Sequence, residues 1–230
     1  MSTDGFVKVV EAITHLLGVV VWPAIFVFML LRYRSAITDF VSNLGEFSFK
    51  AAGIEATAKV RAQAAASLAA ASASRPDSAT SPQATLQETR LAAQVVTDAI
   101  TPRVIRRAER STVLWVDDRP NNNVHVRQAL EAVGISFVLS TSTEDALDQI
   151  NRQTFDLIIS DMGRPPDPRA GYTLLDKLRA NGNRTPFIIY AGSRSPEHQE
   201  ESRQHGAIGC TNRPNELFEM VLSALGRGPQ

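Results

Sequence analysis

The chain is poor in cysteine, with one, Cys210, among 230 residues. No disulfide can close within it, which suits a reducing compartment. Cys210 ends the short apolar stretch from Ala207 and reads as a small buried hydrophobe rather than a nucleophile. The four histidines, His15, His125, His198 and His205, lack the spacing of a zinc site. An excess of charge is also missing. Twenty-four basic residues meet 24 acidic ones, so nothing global draws the chain to nucleic acid. The local basic cluster Arg103 to Arg110 reads as a solvated helix end or linker.

A more pointed absence lies near the N-terminus. From Ala12 to Leu31 there is no Lys, Arg, Asp or Glu. As a helix, roughly 20 residues rise about 30 Å, the thickness of a bilayer's hydrocarbon core. A cleaved signal peptide needs a basic start and a small-residue cleavage site. Here Asp4 and Glu11 precede the run, and Arg32 and Arg34 stop it. Residues 1–34 therefore predict a single-pass anchor in the inner or plasma membrane, held in the lipid bilayer. The two arginines place the N-terminus outside and the rest of the chain in the cytoplasm.

Residues 35–73 follow as a juxtamembrane unit. Ile37, Phe40, Val41 and Leu44 share a helical face. Phe47 and Phe49 alternate with polar residues before Gly53, which predicts a short strand or β-turn over 46–57. Residues 55–73 are alanine-dominated and predict a helix, but with few large apolar groups it is expected to be solvated or weakly associated. Residues 74–110 read as a linker and connector helix. The segment 74–83 is polar and proline-bearing, and Leu86, Leu91, Val95 and Ile100 mark a stripe on the helix that follows.

The last 120 or so residues are organised around Thr112 to Asp118, in which an apolar run ends in two adjacent carboxylates. Such a run reads as a buried parallel strand. A second run, Phe155 to Asp161, also ends in a carboxylate. Ligands of open α/β sheets bind beyond the strands' C-terminal ends. If the two strands are neighbours, Asp117, Asp118 and Asp161 converge. Three carboxylates repel unless a cation sits among them, and hard oxygen ligands suit Mg2+. Strand and helix then alternate five times. Helices are predicted over 124–133, 142–150, 171–180, 196–204 and 214–225. Strands are predicted over 135–139, 155–161, 186–191 and 207–210. The fold class is α/β, a five-stranded parallel sheet wound on both faces.

Those motifs carry a resemblance. Residues 111–226, before a short tail at 227–230, resemble the receiver (CheY-like) domain of two-component response regulators. The carriers are Val113 to Asp118, Asp156 to Met162, Pro186 to Tyr190, Gly206-Ala207 and Arg213-Pro214. The resemblance implies a flavodoxin-like sheet of order 2-1-3-4-5. It implies that Asp161 accepts a phosphoryl group from a histidine kinase or other phosphodonor. It also implies that Asp117 and Asp118 hold Mg2+ with Asp161 and the backbone carbonyl of Gly163.

The phosphate-reading half departs from the family pattern. Ala191 stands where a hydroxyl residue closes the fourth strand, and Ser193 is the nearest substitute. Arg213 replaces the lysine before Pro214, and arginine is not interchangeable with it. Cys210 replaces an aromatic. The loop after Asp161 adds Arg164 and Arg169. Two readings follow. Asp161 is phosphorylated and the extra arginines help to bind the phosphoryl group, or the domain is a pseudo-receiver acting as a membrane effector or protein-binding module. Beyond self-phosphorylation no enzyme is expected, since a haloacid-dehalogenase phosphatase needs Asp-x-Asp where this chain has Asp117-Asp118. Tethering raises the effective concentration of copies and favours a homodimer.

Overall fold

The computed structural model describes Phe28 and residues 55–74, 82–191 and 195–227. The chain divides into two compact units, Met1–Glu55 and Ala56–Gln230. Of the first, only Phe28, helical and exposed, and Glu55 are described. The expected anchor and the segment 35–54 thus lie outside the described residues. Among the described residues no helix is long and apolar enough to cross a membrane. Residues 55–57, expected to end a strand or turn, are helical.

In the second unit, helix α1 covers residues 55–73. Helices α2 (Pro82–Ala99) and α3 (Pro102–Ala108) lead into strand β1 (Thr112–Val116). A 3-10 turn (Pro120–Asn123) and helix α4 (Val124–Ala132) precede β2 (Ser136–Ser140). Helix α5 (Thr143–Arg152), β3 (Leu157–Ser160), α6 (Ala170–Ala180) and β4 (Phe187–Tyr190) follow. Helix α7 (Pro196–Gln204), β5 (Gly209–Thr211) and α8 (Pro214–Arg227) complete the unit.

The sheet is parallel with order β2-β1-β3-β4-β5, as the alternation of elements predicts. Side chains alternate across it, so each strand feeds two cores. Val113, Trp115, Leu157, Ile159 and Ile188 face one side with α4 and α8. Leu114, Val116, Ile158, Phe187 and Ile189 face the other with α5 and α6. Helix starts are set by local chemistry. Ser142 accepts the Asp145 N–H at 3.1 Å to cap α5, and Thr101 caps α3 with Pro102 at its first position.

Three expectations need correction. The alanine-rich helix α1 is not solvated: Ala64 and Leu68 are fully buried in the core shared with α2, α4 and α8. Small side chains let helices approach closely, so few large groups are needed to bury a face. Arg61 reinforces the docking by donating from Nε and NH2 to the Ile100 carbonyl at 3.1 and 2.5 Å, at the end of α2. The stripe on α2 is rotated. Leu91 is half exposed, whereas Ala92, Val96 and Ile100 are buried. Residues 82–108 therefore pack on the domain, with α2 and α3 both against α8, rather than serving as a spacer. Finally, β5 begins two residues later than expected. The Ala207 N–H bonds back to Ser202 O at 2.9 Å to finish α7, after Gly206 turns the chain at φ 91°.

Candidate functional site: an acid pocket with a buried arginine

Register places the acids. Val116 pairs with Ser160 across β1 and β3, so the next residues, Asp117 and Asp161, leave the sheet side by side. Each keeps one more ladder bond: Asp117 N–H to Ser140 O at 2.9 Å, and Asp161 N–H to Val116 O at 3.0 Å. Asp117, Asp118 and Asp161 each offer an oxygen within 4.8 Å of the others. The three carboxylates expected to converge do so.

They are not equivalent. Asp117 is buried. Its Oδ1 accepts the Arg119 N–H at 2.8 Å and its Oδ2 accepts Asn123 Nδ2–H at 2.6 Å. Below it Trp115 is packed edge-on against Phe137 and Tyr190, with the Arg127 guanidinium over the indole. Asp118 is partly exposed, 3.7 Å from Arg119 Nε. Asp161 accepts a hydrogen bond from Arg164 NH1.

Arg164 is the group that sequence reasoning placed only vaguely. Its side chain is 3% exposed. Besides Asp161, NH1 donates to Ser160 Oγ at 2.8 Å, and NH2 donates to Thr143 Oγ1 at 3.0 Å and to Ala170 O at 3.1 Å. The loop holds it there. Arg164 and Asp167 exchange backbone hydrogen bonds at 3.0 and 2.7 Å. The Asp167 carboxylate accepts from Thr173 Oγ1 at 2.6 Å and from Arg169 N–H at 2.8 Å. Those bonds hold its pKa below the ordinary range. Gly171 closes the arrangement: its N–H donates to Met162 O at 2.8 Å, and an added Cβ would lie 2.4 Å from Asp161 O.

Arg213 is half exposed and pairs with Glu216 at 3.8 Å. Ala191 follows β4, and its N–H bonds Thr211 O at 3.0 Å. Ser193 lies outside the described residues. Gly163 is exposed in the loop two residues past Asp161. Arg169 turns to Glu201 and to the face of Tyr172, 5.1 Å from the ring centre. The signal that pointed to Arg164 was its place three residues after an acid that closes a strand, followed by Pro165-Pro166. Only the fold shows that the side chain returns to that acid.

The pKa of Asp161 is raised to about 6. Burial is the main cause, Arg164 opposes it, and Asp117 adds to it. Without a divalent cation, Asp161 is expected to titrate near pH 6, read from its side-chain carboxyl 13C shift. Since the proton is held more tightly in the folded chain, this group favours folding at low pH. The contribution is lost as pH rises through about 6. Asp117→Asn should lower the midpoint, and an unmoved midpoint would show that the two acids do not interact.

The oxygen set fits a small hard cation: three carboxylates on two neighbouring strand ends, two of them partly open to solvent. Asp117, Asp118 and Asp161 are the residues that would hold it.

A parallel sheet of this order, with three carboxylates at the C-terminal ends of its first and third strands, defines a receiver-type domain. Residues 113–223 match the family model of the response regulator receiver domain, and this part of the chain is such a domain. Curated relatives include the sensor histidine kinase RcsC of Salmonella typhimurium, 24% identical over 102 residues that cover 44% of this chain and 10% of that protein. The probable C4-dicarboxylate response regulator DctR of Priestia megaterium is 31% identical over 116 residues, covering 50% of each chain. This chain thus spans from about a tenth to half of these relatives' length. Among solved structures, the receiver domain of the Francisella response regulator 1452 is similar at 25% identity and a TM-score of 0.46, covering 51% of this chain and 97% of that one.

Proposed function

We propose that the chain is a membrane-anchored signalling protein whose receiver domain accepts a phosphoryl group on Asp161 from a histidine kinase or small phosphodonor. The observation that carries this reading is the convergence of Asp117, Asp118 and Asp161 beyond β1 and β3. An oxygen of the Asp161 carboxylate forms the new O–P bond. The donor's bond to phosphorus breaks, P–N in a phosphohistidine and P–O in acetyl phosphate; the electron pair stays on the leaving nitrogen, which takes up a proton, or on the oxygen of the departing acetate. Asp117, Asp118, Asp161 and the Gly163 carbonyl are the proposed Mg2+ ligands. When bound, Mg2+ would offset the charge that gathers in the pocket. Hydrogen bonds from Arg119 N–H and Asn123 fix the Asp117 carboxylate. Anchoring through residues 12–31 rests on their lack of charge and on Arg32 and Arg34. It places the receiver domain on the cytoplasmic side and favours pairing of tethered copies.

One set of observations favours a second reading, a phosphorylation-independent protein-binding module or membrane effector. Asp161 is already paired with Arg164, Arg213 is engaged by Glu216, and Ala191 offers no hydroxyl. A single preparation separates the two. Full-length chain in an alkali-washed membrane fraction is treated with acetyl phosphate and Mg2+, then run on a phosphate-affinity gel. The proposal expects the chain to stay in the pellet and to show a slow band that Asp161→Asn abolishes. Release by alkali removes the anchor. No shift, or an equal shift in the variant, favours the second reading.

A further inference from the structure

We propose that Arg164 is a resident counter-ion of Asp161 that competes with a divalent cation for the acid pocket. The inference rests on the reading that Asp117, Asp118 and Asp161 hold such a cation. Arginine stays protonated in proteins, so a full positive charge lies buried beside β3. Burying a charge is tolerated where it is paired and its donors are used. Arg164 meets that condition through Asp161, Ser160, Thr143 and the Ala170 carbonyl. Asp161 is its anionic partner. Its Nε is buried with no hydrogen-bond partner, so the remaining bonds carry the whole cost of burial.

Removing one partner of such a pair costs more than removing both. Ionised Asp161 therefore depends on Arg164. A divalent cation that binds Asp161 meets this pair in two ways. It shares a carboxylate to which NH1 already donates through Oδ1, and it is repelled by a guanidinium that cannot retreat. Three other acceptors, on the starts of α5 and α6 and at the end of β3, hold that guanidinium in place. The paired Arg164 and Asp167 backbones fix the loop beneath it. Arg164 thus neutralises one of the three carboxylates before any cation arrives. The charge of the pocket is thus partly compensated before a cation binds, and its cation affinity is set below that of the bare acids.

Mg2+ titration of the full chain by calorimetry tests the competition. Arg164→Met is expected to bind Mg2+ about tenfold more tightly than wild type, or better, because a nearby like charge is gone. Arg164→Lys should stay close to wild type. Unchanged or weaker binding in Arg164→Met overturns the competition. Thermal midpoints of the metal-free protein test the pair independently. Arg164→Met should melt below wild type, and adding Asp161→Asn to it should restore part of the loss. Additive losses, with Mg2+ binding intact, overturn the counter-ion and leave the cation reading standing. No Mg2+ binding by wild type and variant alike, with the restoration intact, overturns the competition along with the cation reading.

Discussion

Leu68→Ala is expected to lower the stability of the second unit by about 2–5 kcal/mol, the range for deleting a fully buried leucine. Chemical denaturation followed by circular dichroism would measure it. Leu68 belongs to α1, a helix whose composition suggests a solvated rod, yet it is fully buried among α2, α4 and α8. The cost combines lost transfer energy with the cavity left between elements too well fixed to close it. Leu91→Ala is the control. Leu91 is half exposed on α2, so its truncation should stay within about 0.5 kcal/mol. Equal effects at the two positions would show that α1 does not dock and that residues 111–226 fold without it.

Gly171→Ala is the second large effect, with an expected loss of about 1–3 kcal/mol. The cause is steric. Gly171 lies in the first turn of α6, and a Cβ there would sit 2.4 Å from Asp161 O. The atom met is backbone and cannot rotate aside, so either α6 or the end of β3 must move. Both carry site geometry, because Arg164 bonds Ala170 O and Asp161 together. Gly226→Ala provides the contrast. It lies in α8 with nothing within 4 Å of the added Cβ, and alanine in a helix should stabilise by up to about 1 kcal/mol. A Gly171→Ala protein that melts with wild type would show that the close approach is not real.

The central strands were readable because their chemistry is repetitive. Val113 to Val116, Ile158-Ile159 and Ile188-Ile189 are buried on both faces, which leaves apolar runs that helical periodicity does not explain. The acids were readable for a related reason. A carboxylate ending such a run has to stand at the sheet's edge, and the strand order brings two such edges together. The misreadings have physical causes. Helix α1 buries alanines, which contribute little to any hydrophobic pattern, so its docking face could not be told from its solvent face. On α2, Leu91 attracted the stripe that belongs to Ala92 one position on. Ala207 looked like strand because it is apolar, but its N–H serves the end of α7. Arg164 was visible as an extra arginine, although nothing in its neighbours says that it is buried. That depends on Thr143 and Ala170, which only the fold brings to it.

The packing of α2 and α3 on α8 has a consequence for synthesis. The chain is made from its N-terminus, so Ala92, Val96 and Ile100 leave the ribosome long before Leu217, Val221 and Leu225 exist to cover them. Contacts so far apart in sequence close late. Until α8 is made, residues 82–108 have an apolar side that α1 covers only in part. The arrival of α8 covers that side and fills one face of the sheet in the same event. Helix α8 is therefore the keystone of the domain, and a chain stalled before residue 214 should expose the surface that invites aggregation.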